Sequence, residues 1–238
     1  MLVRLSTMCW NWEVSLITGL LSVTVGVYTY RRNKDGDFDR WIAILATAVG
    51  SMQFLEMIMW LDQSCTGWNQ GASFTAFMLL TWVHPWVSVY LAFKYWYKSD
   101  ETNKRLDDPK TRKAMLYQLY FFDFCMFLTL VWSVTRTAVY VPTTDDLLCS
   151  RPEITHLAWD WDRHLVKGGY VQFYGIFTFG PVFCQGWNRG LFWALWATTI
   201  GLLATYAQSG GGEGSMYCWL GSLSAVWQLL YVPRWIAS

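Results

Sequence analysis

Residues Trp10–Lys34 read WNWEVSLITGLLSVTVGVYTYRRNK, a long apolar run closed by Arg31-Arg32-Asn33-Lys34. As a helix, an apolar stretch of roughly 18–25 residues matches the hydrocarbon thickness of a bilayer. A cleavable signal has a shorter apolar core and a small-residue cleavage site. Here the run is full length and basic residues follow it, so it reads as a retained anchor. Comparable runs recur at 41–61, 71–97, 117–141, 169–185, 191–208 and 216–235, with a long connection at 142–167. The fifth of the seven is short and is interrupted by Gly180-Pro181. The fold class expected is all-α: a polytopic membrane protein, residues 1–238 forming one seven-transmembrane-helix bundle. Only 15% of the 238 residues are charged, against about a quarter in soluble domains. Seven spans leave only loops, so no separate soluble domain fits. A net charge of +1 gives no basic field for nucleic acid.

Lys and Arg concentrate on the cytoplasmic side of membrane proteins. Arg31, Arg32, Lys34 and Arg40 lie between spans one and two. Lys94, Lys98, Lys104, Arg105, Lys110, Arg112 and Lys113 lie around the connection of spans three and four. With Arg189 and Arg234 they fall on one face if the amino terminus is outside and the carboxyl terminus cytoplasmic. The outer face then carries Asp62, Asp145, Asp146, Asp160 and Asp162, and reads acidic. Cys65 and Cys149 fall in successive outer loops, where oxidation to a disulfide is chemically available. Cys9 and Cys218 also lie toward that face, so other pairings stay open. Of the seventeen tryptophans, Trp10, Trp12, Trp41, Trp60, Trp68 and Trp96 sit near span ends. That position suits an indole, whose body is apolar and whose N–H prefers water. Trp159-Asp160-Trp161-Asp162 reads as an interfacial segment or a lid over an outer opening.

Ionisable groups in hydrocarbon are costly and usually face the bundle interior or a wet cavity. Glu56 shares a helical stripe with Gly50, Gln53 and Trp60 in span two. It reads either as a proton, cation or ligand site, or as a buried carboxyl that locks helix packing. His84 precedes Pro85 in span three, with Thr81 and Ser88 on the same face, and Pro85 predicts a kink. Asp123 stands among phenylalanines in span four, where burial is expected. Gly19, Ser22 and Gly26 on span one, and Gly221, Ser224 and Gln228 on span seven, form small-and-polar stripes. Spans one, two, three and seven are therefore expected to pack around a polar seam holding Gln53, Glu56, Thr81, His84 and Gln228.

Absences narrow the chemistry. The span interiors hold no lysine, so retinal has no Schiff-base attachment, and one in-span histidine cannot supply paired haem ligands. No CxxC, HExxH or GxSxG occurs. Glu56, His84 and Asp123 lie at different expected depths, which argues against a metal site. No catalytic residue and no cofactor is assigned.

Cys9-Trp10-Asn11-Trp12-Glu13-Val14-Ser15, with Met52-Gln53-Phe54-Leu55-Glu56 and Trp60, resembles an uncharacterised family of multi-span membrane proteins of large DNA viruses and unicellular eukaryotes. The likeness covers about the first third of the chain. It implies that Glu13, Gln53 and Glu56 are family features, and it implies no activity. The leading expectation is a small channel or transporter for protons, cations or a small amphiphile. In it Glu56 binds or relays charge, His84 gates, and Gln53 and Gln228 orient water. A receptor-like protein with a pocket under 142–167, a structural role in a viral or organelle membrane, and a lipid-modifying enzyme using Glu56 or Asp123 are the alternatives. The expected setting is an integral plasma, secretory-pathway or viral membrane, with lipids as partners.

Overall fold

The computed structural model describes residues 11–34, 36–64 and 66–97. Beyond these it describes 109–110, 113–114, 116–118, 120–121, 123–125, 127–128, 131, 150–152, 157–159, 178, 180–185, 195 and 199. Helix α1 (Trp12–Arg32) starts where the Asn11 side chain accepts from the Val14 N–H at 3.0 Å, satisfying one of the free donors of a first turn. Glu13 in that turn and Arg31 and Arg32 in the last one complement the helix dipole. Asn33 closes the helix in the left-handed conformation (φ 44°), its N–H donating to the Thr29 carbonyl at 3.1 Å.

Helix α2 (Asp37–Leu61) begins four residues before the expected 41. Its charged first turn is held by the preceding loop. Arg32 bridges both Asp39 carboxylate oxygens at 3.3 Å, and the Lys34 N–H donates to one of them at 2.7 Å. Arg40 pairs with Asp37 at 3.4 Å. With its charges compensated, the helix continues beyond the end of the apolar run. At 21 and 25 residues, α1 and α2 are the two described helices long and apolar enough to cross a membrane.

The two helices run antiparallel, and small residues set their separation. A Cβ on Gly19 would sit 3.1 Å from the Phe54 ring and 3.3 Å from the Gln53 Cβ. One on Gly50 would collide with the Ser22 side chain, and one on Gly26 with the Thr47 hydroxyl. Small residues permit this backbone approach. The buried face of α1 is accordingly Ser15, Thr18, Gly19, Ser22, Gly26 and Thr29. The opposite face shows large apolar side chains: Ile17 is 65% exposed and Leu20 52%, while Ser22 is fully buried.

The third expected span is helical from Gly67 to Tyr97, four residues longer at its start than read from the sequence. It consists of α3 (Gly67–Met78), a π-helical turn (Leu79–Val83), α4 (His84–Ala92) and a second π-helical turn (Phe93–Tyr97). The turn before Pro85, where a kink is predicted, is π-helical. Proline lacks an N–H and its ring crowds the carbonyl four residues back. A wider turn accommodates both.

Trp41 is a correction to the sequence reading. It is not an interfacial anchor but lies fully buried with Leu45, Val49, Leu91, Ala92 and Val182. Its indole N–H donates to the Ser88 carbonyl at 3.0 Å. The Ser88 hydroxyl donates to the Thr178 carbonyl at 2.5 Å. The expected fifth span thus meets α2 and α4 at its Thr178–Val182 end, where Gly180–Gln185 forms a short 3₁₀ helix. The described residues between 109 and 131 are all helical. Within the long connection, β1 (Ser150–Pro152) and β2 (Leu157–Trp159) pair antiparallel, Ser150 opposite Trp159. The described part is therefore helical with one small ribbon, and β1 lies against α2 and α3.

The close contact at Gly50 predicts a clear pair of mutants. Gly50→Ala overpacks against Ser22 and should lose about 1–3 kcal/mol of stability. Gly71→Ala meets no atom within 4 Å and should gain about 0.4–1 kcal/mol. Unfolding midpoints of the two purified variants should therefore move in opposite directions; equal shifts would contradict the α1–α2 packing.

Candidate functional site

Glu56 lies in the next-to-last turn of α2 and is 3% exposed. Gln53, one turn earlier and fully buried, donates its Nε2 to a Glu56 carboxylate oxygen at 3.0 Å. Gln53 is forced inward because its Cβ abuts Gly19 of α1. Its Oε1 is buried with no hydrogen-bond partner among the described residues, and so is the Ser22 hydroxyl, one turn along α1. Among the described residues, α1 and α3 bring neutral, oxygen-bearing side chains to the neighbouring faces. From α1 come Ser15, Thr18 and Ser22, all buried, with the Thr18 hydroxyl donating to the Val14 carbonyl at 2.7 Å.

From α3 come Asn69 and Ser73, both fully buried. The Asn69 amide donates to the Met59 carbonyl at 3.2 Å and to the Asp62 carbonyl at 2.8 Å, which fixes the antiparallel register of α2 and α3. Ser73, one turn further, comes level with Glu56 and reaches the Asn69 amide oxygen at 3.4 Å. The Gln53 bond alone, worth about 1.5–3 kcal/mol to a charged acceptor, offsets only part of the several kcal/mol that burying an ion costs.

Asp62 caps this end of the site. Its carboxylate accepts from the Thr66 hydroxyl, from the Asn69 N–H at 2.9 Å and from the Ser64 hydroxyl at 2.8 Å. These bonds, led by that of Thr66, hold the Asp62 carboxyl down at about 2 from its ordinary 3.8.

His84 forms a second polar station. Its ring hydrogen-bonds the Ala48 backbone, whose carbonyl also accepts from the Ser51 hydroxyl at 2.6 Å. Ala48 precedes Glu56 by eight residues, about 12 Å along a helix. Buried apolar side chains, Met52 on α2 and Ala76, Phe77 and Leu80 on the facing helix, occupy the interval. The two residues expected in one seam thus share a helix interface at separate levels. Thr81 is part of the π turn beside His84.

The other expected residues divide as follows. Asp123 is exposed, as are Phe121 and Phe124 beside it, so the burial expected for it is not found. Glu13 is exposed in the first turn of α1, away from Gln53 and Glu56. Gln228, Cys65 and Cys149 lie outside the described residues. Asn69 and Ser73 were not singled out by the sequence reading: Asn69 precedes the expected start at Gly71, and Ser73 stands in the first turn after it. The small-and-polar spacing Asn69, Ser73, Ala76 was the available signal. Among the described residues no group of three His, Cys, Asp or Glu side chains gathers to hold a metal. No family model, no curated protein and no solved structure matches the chain.

The Asp62 network carries a pH signature. Because its folded value lies below the ordinary one, its stabilisation is complete above about pH 4 and is lost as the pH falls toward 2. Midpoints of the wild type and Asp62→Asn should separate above pH 4 and converge near pH 2. A gap independent of pH would show that the carboxylate charge plays no part.

Proposed function

We propose that the chain is an integral membrane protein of seven spans, amino terminus outside. In this reading it moves protons, cations or a small amphiphile through the polar seam around Glu56. The observation that carries the reading is a carboxyl 3% exposed, held by a fully buried Gln53, on a helix long and apolar enough to cross a bilayer. Intramembrane ionisable groups mark ion and substrate pathways by default. The bilayer setting is supported by α1, which buries serine, threonine and glycine and turns Ile17, Leu20 and Val27 outward. Close packing through small residues with an apolar exterior is what lipid selects. Trp68, 76% exposed beside the Asp62 turn, suits the interface between lipid and water.

Glu56 is the charge-handling group of this reading. The elements against it bring Ser15, Thr18, Ser22, Asn69 and Ser73, none of which titrates near neutral pH. His84 lies on the same interface, beyond the Met52 layer, and Asp62 lies at its other end. His84 acts as a separate polar station, and a gating role for it requires the helices to move. Purified protein in liposomes should give a pH-dependent flux of protons or monovalent cations. Glu56→Gln should cut that flux about tenfold or more, a barrier change of about 1.4 kcal/mol or above. Thr24→Val, on the exposed face of α1, should leave it unchanged. An undiminished flux in Glu56→Gln would remove the carboxyl from the pathway.

A further inference from the structure

We propose that Arg31, Lys34 and Lys94 form a binding site for the headgroup of an anionic phospholipid, a step that rests on the integral-membrane reading and not on its cargo. The starting point is the charge at one end of the helices. The Arg32–Asp39 bridge and a hydrogen bond between the Tyr30 and Tyr95 side chains bring the end of α1, the start of α2 and Tyr95 together there. Arg32 and Arg40 pair with Asp39 and Asp37, both buried. Arg31, Lys34 and Lys94 are exposed and make no ion pair among the described residues. With Asp35 counted from the sequence, residues 31–40 and Lys94 still carry five basic side chains against three acidic ones.

Two exposed stripes lead to these cations. On α1, Ile17, Leu20, Val27, Tyr28 and Arg31 are all exposed and share about 100° of arc at 3.6 residues per turn. On the third helical segment Trp86, Tyr90 and Lys94 recur at helical spacing and are likewise exposed. The Trp86 and Tyr90 rings stack at 5.5 Å, and the Lys94 ammonium lies 5.3 Å from the centre of the Tyr95 ring. The α1 stripe passes from apolar to aromatic to cationic, and the other from aromatic to cationic. That is the order of acyl chain, interface and phosphate in a bilayer leaflet. It selects a phospholipid over a free phosphate, which would engage the cations alone. A zwitterionic headgroup cancels its own phosphate charge, so the uncompensated positive charge selects an anionic one.

The test uses full-length protein purified in neutral detergent and titrated with phosphatidylserine or phosphatidylcholine of the same chains, bound lipid being counted by native mass spectrometry. Phosphatidylserine should bind about a hundredfold more tightly, at about fivefold for each of the three cations. Arg31→Gln, Lys34→Gln and Lys94→Gln should each weaken phosphatidylserine about fivefold and leave phosphatidylcholine unmoved. Lys94→Arg should keep the preference, and the triple glutamine variant should bind the two lipids equally. Raising salt from about 0.1 M to about 1 M shortens the screening length from about 10 Å to about 3 Å and should remove most of the wild-type preference. Glycerophosphoserine, the headgroup without chains, should compete only at far higher concentration than the lipid.

Equal wild-type affinity for the two lipids, or a preference indifferent to salt, overturns the site whether or not the variants fold. A preference that survives in the triple variant puts the lipid elsewhere and overturns it too. Equal potency of glycerophosphoserine makes the ligand a free phosphate and overturns the lipid. Alkaline carbonate extraction of vesicles carrying the protein separates these failures from that of the membrane reading. Protein that stays in the vesicles without the preference loses only the lipid site. Protein that is released loses the membrane reading and the site together.

Discussion

The backbone approach of α1 and α2 governs the rest of the described fold. Gly19, Ser22 and Gly26 on one helix meet Gln53, Gly50 and Thr47 on the other, at separations that leave no room for a methyl group. A helix pair so close has little apolar side chain to bury between its members. What is buried is instead hydroxyl, glycine backbone and the stem of Gln53. The amide of Gln53 is then confined to the interior and turns to Glu56. The position of the carboxyl is thus a consequence of packing that begins a turn away, at glycine.

The same geometry explains why the polar groups form two stations. Along α2 the residues facing α3 and α4 alternate in character: Trp41 and Leu45 are apolar, Ala48 offers a carbonyl, Met52 is apolar, Glu56 is polar and Met59 is apolar again. On the opposing helix Ser88 and His84 meet the first part, Ala76, Phe77 and Leu80 the middle, and Ser73 and Asn69 the last. Each polar level is closed by the apolar level next to it. Glu56 and His84 therefore stand at separate levels of the same interface.

Much of this was legible in the sequence. The stripes Gly19, Ser22, Gly26 and Gly50, Gln53, Glu56 were read from helical spacing alone, and their small residues lie at the α1–α2 contact, because small residues have few other reasons to recur at that interval. The helix at Trp12–Arg32 was read from its length and basic close. Depth and partner choice were not legible. Periodicity placed His84 and Glu56 on inward faces, but the offset between them depends on the register set by Asn69 and Met59. Trp41 was read as an anchor because it follows a charged loop. That loop folds onto α2 through Arg32 and Asp39, which carries the helix past Trp41 and buries it. The ribbon at Ser150–Trp159 has strands of three residues, too short for a period-2 pattern to declare itself.

The environment of α1 admits a magnitude argument. Burying a Val, Leu or Ile side chain from water is worth about 1.5–3 kcal/mol. Ile17, Leu20 and Val27 are each left between 45% and 65% exposed, while the interior positions of the same helix go to Ser15, Thr18, Ser22 and Thr29. In water this assignment gives up burial at every turn and gains little from the hydroxyls, whose hydrogen bonds water would supply equally well. Against a net stability of about 5–15 kcal/mol for a folded domain, several such inversions on one helix are a heavy load. In hydrocarbon the ledger reverses. The outward apolar side chains then lose nothing, and an inward hydroxyl such as that of Thr18 finds a backbone carbonyl where lipid would offer none. The arrangement that is unfavourable in one solvent is the favourable one in the other. This gives the membrane reading a physical basis in which side chains point which way, beyond the lengths of the helices.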